Sequence, residues 1–380
     1  MKAATLPSNE FEGSILGQLS TLDRFLPVWI GVAMAVGLAL GRMFPGLNDQ
    51  LDRAKIGATS LPIAIGLLGM MYPVLAKVSY GRLRGVTNDR PLVLSSLLLN
   101  WVVGPALMFA LAWIFLADLP EFRTGLILIG LARCIAMVLM WNHLAGGDGE
   151  AGTVLVVLNS AFQVAGYALL GYFYLELLPG WLGFDRTAVD FVLWDIAKSV
   201  LIFLGIPLVL GFLTSLFGRK WKGDEWYEQR FLPRIGPWAL YSLLFTIVIL
   251  FAIQGHAITS APLDVARIAV PLLAYFAIMW TAAFTWGRAQ GLGYPRTATL
   301  AFTAAGNNFE LAIAVAIGTF GIDSGQAIAG VVGPLIEVPT LVALVYVSLW
   351  AGKRYFGASG LAAPGNELHL AKSPSELAER

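Results

Sequence analysis

Residues 300–318, LAFTAAGNNFELAIAVAIG, form an apolar run with a polar interruption at its centre. Gly306, Asn307 and Asn308 are poor helix formers, whereas the residues on both sides favour a helix. We therefore predict two half-helices joined by unwound backbone. Unwound backbone is tolerated at membrane depth only where it is buried in protein or lines a cavity. The stretch thus predicts a broken membrane helix beside a functional cavity.

The composition of the whole chain also indicates a membrane protein. Hydrophobic residues make up 57% and charged residues 13%, against about 25% charged in soluble domains, and the mean hydropathy is +0.73. Each span needs about 20 apolar residues. Ten runs of that length predict an all-α polytopic membrane protein with ten transmembrane helices, at about 25–42, 58–79, 91–117, 122–144, 150–178, 189–217, 235–256, 264–287, 295–319 and 324–351.

The distribution of Lys and Arg predicts the orientation of the chain. Most of them fall in the loops on the side of the two termini, and positive loops face the cytoplasm. We expect a plasma membrane protein with residues 1–24 as a cytoplasmic segment and residues 352–380 as a mobile cytoplasmic tail. A net charge of +1 gives no reason to expect a nucleic acid partner. Nucleotide-binding and protease motifs are missing from the sequence, so we predict neither an enzyme nor a cofactor.

One sequence offset relates the two halves of the chain. The distance along the sequence from Gln163 to Glu337 recurs between other residue pairs in the predicted helices, and we call it the repeat offset. Residues 25–178 and 189–351 are therefore predicted to be two five-helix repeats. Because five is odd, the second repeat enters the membrane from the opposite side, which is the inverted-repeat plan of secondary transporters.

The repeat offset aligns Cys134 in the fourth predicted helix with Asn308 in the ninth. It predicts a second break near Cys134, although the sequence there has no obvious helix breaker, and a crossing of the two broken helices at the midplane. Cys134 is the chain's sole cysteine, which excludes an internal disulfide. The preceding Arg133 would favour its thiolate. The alternatives are a small buried side chain at Cys134 and a structural cation at Arg133 that carbonyls or a carboxylate satisfy.

Two acidic residues are candidates for carrying protons. An unpaired carboxylate is costly inside a membrane, and such residues are usually functional. Glu310 follows the two asparagines, and Glu337 lies between two prolines in the tenth predicted helix. Arg133 could instead form an ion pair with Glu310. Trp141, seven residues after Cys134, would share its face of a continuous helix and is a weaker candidate, since most tryptophans in such a chain pack or lie at the interface.

Three segments carry a resemblance to a known family: LARCIAMVLMWN at 131–142, TAAGNNFELAIA at 303–314 and GPLIEVP at 333–339. The sequence resembles the arsenite efflux permeases of the bile acid/sodium symporter-like superfamily over about residues 25–351. The resemblance implies panel and core domains, with broken fourth and ninth helices crossing near the centre. It also implies export of arsenite, and in some members antimonite, in exchange for protons.

The resemblance also implies which residues form the site. The essential cysteine and glutamate of the family correspond to Cys134 and Glu310, and its further important positions are Arg133, Trp141, Asn308 and Glu337. Trivalent arsenic is soft and prefers a thiolate, so Cys134 is the expected arsenic ligand. We expect Asn307 and Asn308 to hydrogen-bond the arsenite hydroxyls, and Glu310, with Arg133 and Glu337, to couple transport to protons.

Three other functions stay open at this point. A sodium-coupled symporter of an organic anion has the same fold, but Ala314 stands where sodium-coupled relatives would have glutamine. A passive channel for neutral hydroxylated solutes would not need Glu310. A partner of an ATPase subunit could dock that subunit on residues 217–234.

Overall fold

The structure is a computed structural model that describes residues 25–44, 55–56, 59–77, 89–135, 137–184, 193–260, 262–321 and 324–360. Twelve helices are described here, α1 to α12 in chain order. Their bounds are Leu26–Met43, Leu61–Ala76, Arg90–Phe115, Pro120–Leu131, Met137–Leu144, Gly149–Leu182, 193–222, 224–260, Pro262–Ala289, Tyr294–Ala305, Phe309–Phe320 and Gly325–Gly360. Short π-helical turns interrupt α3, α6, α7 and α8. Two short strands, β1 (Lys55–Ile56) and β2 (Thr59–Ser60), pair antiparallel before α2.

The helices confirm an all-helical polytopic membrane protein. Each of the ten predicted apolar runs contains one helix or two half-helices. Among the described helices, α3, α6, α7, α8, α9 and α12 are long and apolar enough to cross a membrane, whereas α1, α2 and α11 are apolar but shorter. The arrangement as ten spans in two inverted halves stays a prediction.

Both predicted helix breaks are confirmed. The backbone leaves the helix between α4 and α5, around Cys134, and again between α10 and α11, at 306–308. The helices before the two breaks have equal length, and their first residues, Pro120 and Tyr294, are separated by the repeat offset. The first break was predicted from this offset alone, so the offset describes local backbone structure as well as sequence.

The helices pack in two groups. The first helix group contains α1, α2, α7 and α8, in which α8 packs along α1 and α2 and the second half of α7 packs along α2, while the first half of α7 contacts α6 and α11. The second helix group contains α3 to α6 and α9 to α12. Every residue from 297 to 317 is buried, so α10, the second break and most of α11 lie inside the protein. This burial provides the protein surroundings that unwound backbone requires in a membrane.

Ion pairs connect neighbouring helix ends near both the start and the end of α3. Arg296, at the start of α10, pairs with Asp89 at 2.7 Å and with Asp148 at 3.6 Å. Asp118, just after α3, pairs with Arg267 of α9. The Arg267 guanidinium hydrogen-bonds the Asp118 carboxyl and lowers its pKa. These contacts place the starts of α3, α6 and α10 together, and the start of α9 at the other end.

The last helix corrects one predicted boundary. The tail was expected to begin at residue 352, but α12 continues to Gly360 with a kink at Gly357. The reason is aromatic packing: Phe356 contacts the rings of Phe284 and Tyr294, which holds the chain against α9 and α10. The predicted terminal segments 1–24 and 361–380 lie outside the described residues.

Candidate functional site

The two helix breaks are joined by backbone hydrogen bonds. The N–H of Cys134 donates to the carbonyl of Gly306 at 3.2 Å, and the N–H of Asn308 donates to the carbonyl of Ala132 at 3.0 Å. The repeat offset maps the residues of one bond onto those of the other, with the partners exchanged. A Cβ atom on Gly306 would lie 3.0 Å from the Cβ of Cys134, so glycine permits this close approach. We call this junction the crossing.

One buried side chain supports each side of the crossing. Gln163 of α6 accepts a hydrogen bond through Oε1 from the backbone N–H of Arg133. Glu337 of α12 accepts one through Oε1 from the N–H of Asn307 at 3.2 Å. The repeat offset relates these two pairs as well. The pseudo-symmetry therefore includes side chains that reach the crossing from neighbouring helices.

Cys134 and Asn308 occupy equivalent positions before the second half-helices. The Oδ1 of Asn308 accepts from the N–H of Leu311 at 3.0 Å and caps α11. The N–H groups of Met137 and Val138, in the first turn of α5, approach the sulfur of Cys134. Helix N-termini carry a partial positive charge, which stabilises anions. Both half-helices thus direct positive potential at the crossing.

Arg133 contacts the C-terminal ends of α4 and α10, the half-helices that precede the two breaks. Its Nη1 donates to the hydroxyl of Tyr275 at 2.8 Å and to the carbonyl of Ala304 at 3.4 Å, and its Nη2 donates to the carbonyl of Gly130. Gly104 leaves room for it, since a Cβ there would lie 3.0 Å from Nη1. The two carbonyls belong to the last turns of α4 and α10, where a cation balances the partial negative charge of the helix ends.

These contacts decide between the predicted environments of Arg133. Its side chain is fully buried and forms no ion pair with any described residue. The pairing with Glu310 that the sequence left open is therefore not formed. The contacts to carbonyls agree with the alternative of a structural cation, and the part of Arg133 in transport stays a prediction. The reason is local: the guanidinium lies between two helix C-termini, whose carbonyls accept from Nη1 and Nη2, while its Nε has no partner among the described residues.

Glu310 lies between the two helix groups. It lines a recess with residues from α2, α7 and α11, namely Leu67, Met71, Phe203, Leu204, Asn308 and Leu311. The recess is too narrow to hold a water molecule in this conformation. Glu310 and Glu337 both lie near Cys134. The structure thus brings the thiol and the two predicted acidic residues together.

Several polar atoms at the crossing are buried without a hydrogen-bond partner among the described residues. They are the Nε of Arg133, both amide atoms of Asn307, the Nδ2 of Asn308, the Oε2 of Glu337 and the Nε2 of Gln163. Leaving a buried polar group unsatisfied costs about 1–3 kcal/mol, so such groups are rare in folded proteins. This cluster provides both donors and acceptors for a small polar ligand.

The structure changes the argument for Trp141, whose place in the site stays a prediction, and adds Gln163 to the residues at the crossing. Trp141 is buried in α5, with its indole N–H unpartnered among the described residues. The break after Cys134 removes the continuous helix on which their shared face was predicted, so that argument for Trp141 is wrong. Gln163 was not predicted as a site residue, although it supports the crossing. The sequence feature that could have identified Gln163 is its alignment with Glu337 by the repeat offset.

Comparison with known proteins identifies similar sequences over most of the chain. The sequence profile of the Sodium Bile acid symporter family matches residues 64–261. The arsenical-resistance protein Acr3 of Corynebacterium glutamicum is 56% identical over 339 residues, which cover 89% of this chain and 92% of that protein. Acr3 of Alkaliphilus metalliredigens is 32% identical over 336 residues, covering 86% and 92%. The uncharacterized transporter slr0944 of Synechocystis sp. is 34% identical over 351 residues, covering 87% and 89%.

Proposed function

The chain belongs to the Sodium Bile acid symporter family, and from this premise we propose that it is a secondary active carrier that exports arsenite and confers arsenic resistance. The observation that carries the proposal is the position of Cys134. The chain's one thiol lies at a helix N-terminus, within a crossing that also holds unpartnered amide groups among the described residues. Two relatives named arsenical-resistance proteins support the choice of cargo.

The chemistry of arsenite fits this arrangement. At neutral pH arsenite is mainly the uncharged trihydroxide. When it binds, the Cys134 thiol loses a proton and arsenic loses one hydroxide, so an As–S bond forms and one water molecule leaves. The reverse reaction releases arsenite. A single thiolate keeps this binding reversible, whereas three would hold the cargo too tightly.

The unpartnered amides hold the rest of the cargo. Asn307 offers a free carbonyl oxygen and a free amino group, and Asn308 a free amino group, as far as the described residues extend. We assign these atoms to the two hydroxyls that remain on arsenic. Antimonite has the same trivalent hydroxide chemistry, so it is the second candidate cargo.

Glu310 and Glu337 are the proposed proton carriers. Glu310 lines the recess between the helix groups, where a carboxyl group can exchange a proton as the groups move. Glu337 accepts the N–H of Asn307 with one oxygen, and its second oxygen, which has no hydrogen-bond partner among the described residues, can hold a proton. A proton taken up from outside resets the carrier after arsenite has left. Arg133 contributes to this cycle by stabilising the crossing.

The membrane arrangement we propose has ten spans in two inverted repeats of five. The equal lengths of α4 and α10 and the paired hydrogen bonds at the crossing support it. The first helix group corresponds to the panel and the second to the core. Movement of the core against the panel would widen the recess beside Glu310 alternately on each side. Such rocking of one unit against another is common in inverted-repeat transporters.

We place the protein in the plasma membrane with both termini in the cytoplasm. The positive loops on one side support this orientation. It assigns the ion pairs of Arg296 to the cytoplasmic side and the Arg267–Asp118 pair to the outside.

Arsenite uptake into inverted membrane vesicles tests the proposal. An acidic vesicle interior should drive uptake, and an uncoupler should abolish it. Glu310→Gln should lose gradient-driven uptake while it still exchanges internal for external arsenite, because exchange requires cargo binding but no net proton movement. Full gradient-driven uptake by Glu310→Gln would place the proton coupling elsewhere. Uptake that ignores the pH gradient would reject proton exchange altogether.

The family match also favours a second candidate, a sodium-coupled symporter of an organic anion. The same vesicles distinguish the two functions when sodium is replaced by an impermeant organic cation. The arsenite proposal expects equal uptake with and without sodium. Uptake that requires sodium, and that bile acids inhibit, would favour the symporter.

A further inference from the structure

Gln163 contacts the crossing but has no part in the transport cycle proposed above. It lies on α6, four residues after Asn159, and is completely buried. Its Oε1 accepts the backbone N–H of Arg133, the residue directly before Cys134. Its Nε2 has no partner among the described residues. The side chain thus holds the backbone that carries the thiol.

The N–H of Arg133 needs an acceptor from outside its own helix. The last turn of α4 closes with a hydrogen bond from the N–H of Ala132 to the carbonyl of Ile129 at 3.1 Å. Ala132 then has extended backbone, which turns the following N–H away from the helix. A buried N–H without an acceptor is strongly disfavoured. Gln163 supplies that acceptor and thereby stabilises the break where Cys134 lies.

On the other side of the crossing, a buried side chain also accepts a backbone N–H, but there the acceptor is a carboxyl group. Glu337, which the repeat offset aligns with Gln163, accepts the N–H of Asn307 there. A carboxyl group changes its hydrogen-bonding capacity when it gains a proton, whereas an amide does not. The Cys134 side is therefore held by a fixed acceptor, and the Asn307 side by one that can change.

We infer that Gln163 is a positioning residue that fixes the thiol of Cys134 for the cargo. The identity of the cargo rests on the proposed function, but the positioning of the thiol does not. The single cysteine makes the inference testable, because a thiol reagent labels Cys134 alone.

The experiment measures the rate of N-ethylmaleimide labelling of the full chain in lipid nanodiscs, with and without arsenite. Gln163→Leu removes the acceptor, Gln163→Asn shortens it by one methylene, and Gln163→Glu keeps it at full length. Ser160→Ala is the matched control, because Ser160 is buried on the same helix and bonds the carbonyl of Val156 within that helix. Arsenite transport is measured for each variant that is labelled.

The Leu and Asn variants should be labelled about fivefold faster or more, because an unpaired buried N–H destabilises the closed arrangement of the break. They should also lose protection by arsenite, with a larger change in the KM for arsenite than in the maximal rate. Gln163→Glu should restore both properties, and Ser160→Ala should match the wild type. A purely structural role would not give rescue by the acceptor alone.

Wild-type labelling rates and arsenite protection in Gln163→Asn would overturn the inference, and so would a failure of Gln163→Glu to rescue. If Gln163→Leu does not fold, Gln163→Asn decides, because it keeps a polar side chain. If arsenite does not protect the wild type, the proposed cargo is wrong. The labelling rates without arsenite still decide the role of Gln163 in that case.

Discussion

The two sides of the crossing share a backbone and differ in chemistry. On the first side, Cys134 precedes a half-helix and a neutral amide supports the chain; on the second, Asn308 caps a half-helix and Glu337 gives the support. The repeat offset exchanges the hydrogen bonds that join the two sides. The backbone of the crossing is thus symmetric, but its side chains are not. One side carries the Cys134 thiol, and the other carries amide groups together with the ionisable carboxyl group of Glu337.

Under the proposed inverted-repeat arrangement, this difference indicates how a repeated backbone can serve an asymmetric reaction. The duplicated part provides two breaks, two helix N-termini and a close approach of backbones. In the proposed cycle, the side chains at equivalent positions divide the tasks, with cargo capture on the side of Cys134 and proton exchange on the side of Glu310 and Glu337. One cation, Arg133, balances the C-terminal ends of α4 and α10 together. Its equivalent, Asn307, is neutral, and both its amide atoms lack a partner among the described residues, which suits the cargo-binding role proposed for it.

The largest expected effect comes from removing the soft ligand. Cys134→Ser keeps a small polar side chain before α5 but replaces sulfur with oxygen, which trivalent arsenic prefers less. Arsenite transport should fall by more than the roughly 10–100-fold typical for losing an outer partner of a metal ligand. Vesicle uptake measures this, with folding checked by size-exclusion chromatography. Near-normal transport by a folded Cys134→Ser would remove the distinction between the two sides.

The next largest effect is expected when the carboxyl group that supports Asn307 is replaced by an amide, the group with which Gln163 supports Arg133. Glu337→Gln keeps an acceptor for the N–H of Asn307 but cannot ionise. Arsenite should still protect Cys134 from labelling to within a few-fold, while uptake driven by a pH gradient should decrease strongly. Comparison of labelling and uptake in the same preparation measures both. Equal losses of the two would mean that Glu337 supports the fold only.

A packing difference between the two sides gives a smaller effect. Gly333 of α12 lies against the ring of Phe309, and an added Cβ would overlap that ring. Gly333→Ala should displace Phe309 and the adjacent Glu310, with a stability loss of about 1–3 kcal/mol, typical of overpacking, and reduced transport. Gly166→Ala is the control, since nothing lies within 4 Å of its Cβ position. Thermal unfolding and uptake measure the two effects, and similar values for both variants would contradict the account.

The smallest effect concerns the shared cation. Tyr275→Phe removes the hydroxyl that Nη1 of Arg133 contacts at 2.8 Å. Its loss should cost about 1–3 kcal/mol of stability, because the guanidinium is buried. Transport by the folded protein should change little, since the Tyr275 hydroxyl bonds Arg133 at the C-terminal ends of the first half-helices. Tyr241→Phe, at an exposed tyrosine, is the control for thermal unfolding. A loss of arsenite binding without a loss of stability would give Arg133 a direct part in cargo recognition.

The sequence predicted the features that depend on local pattern. Helix-forming apolar runs indicated the helices, and Gly306 with the two asparagines indicated one break. The repeat offset then indicated the second break at Cys134. These predictions succeeded because chain length, helix propensity and repetition can be read without knowledge of which helices touch.

Other features depend on tertiary packing and could not be predicted. The partners of Arg133 include Tyr275 and Ala304, both far away along the chain. The support by Gln163 likewise requires that α6 pack against the first break. Trp141 was assigned to the face of Cys134 by helical spacing, and the unwound backbone between them invalidates that spacing. The residue types of the site thus suggested a chemistry that stays a prediction, whereas the side chains that support the crossing could not be predicted.

Arsenic-edge X-ray absorption of the purified protein loaded with arsenite tests the central claim most directly. The account predicts one sulfur neighbour and two oxygen neighbours at arsenic, and loss of the sulfur signal in Cys134→Ser. Because Cys134 is the sole cysteine, a sulfur neighbour identifies the ligand without further labelling. An arsenic centre surrounded by oxygen alone in the wild-type protein would contradict the account.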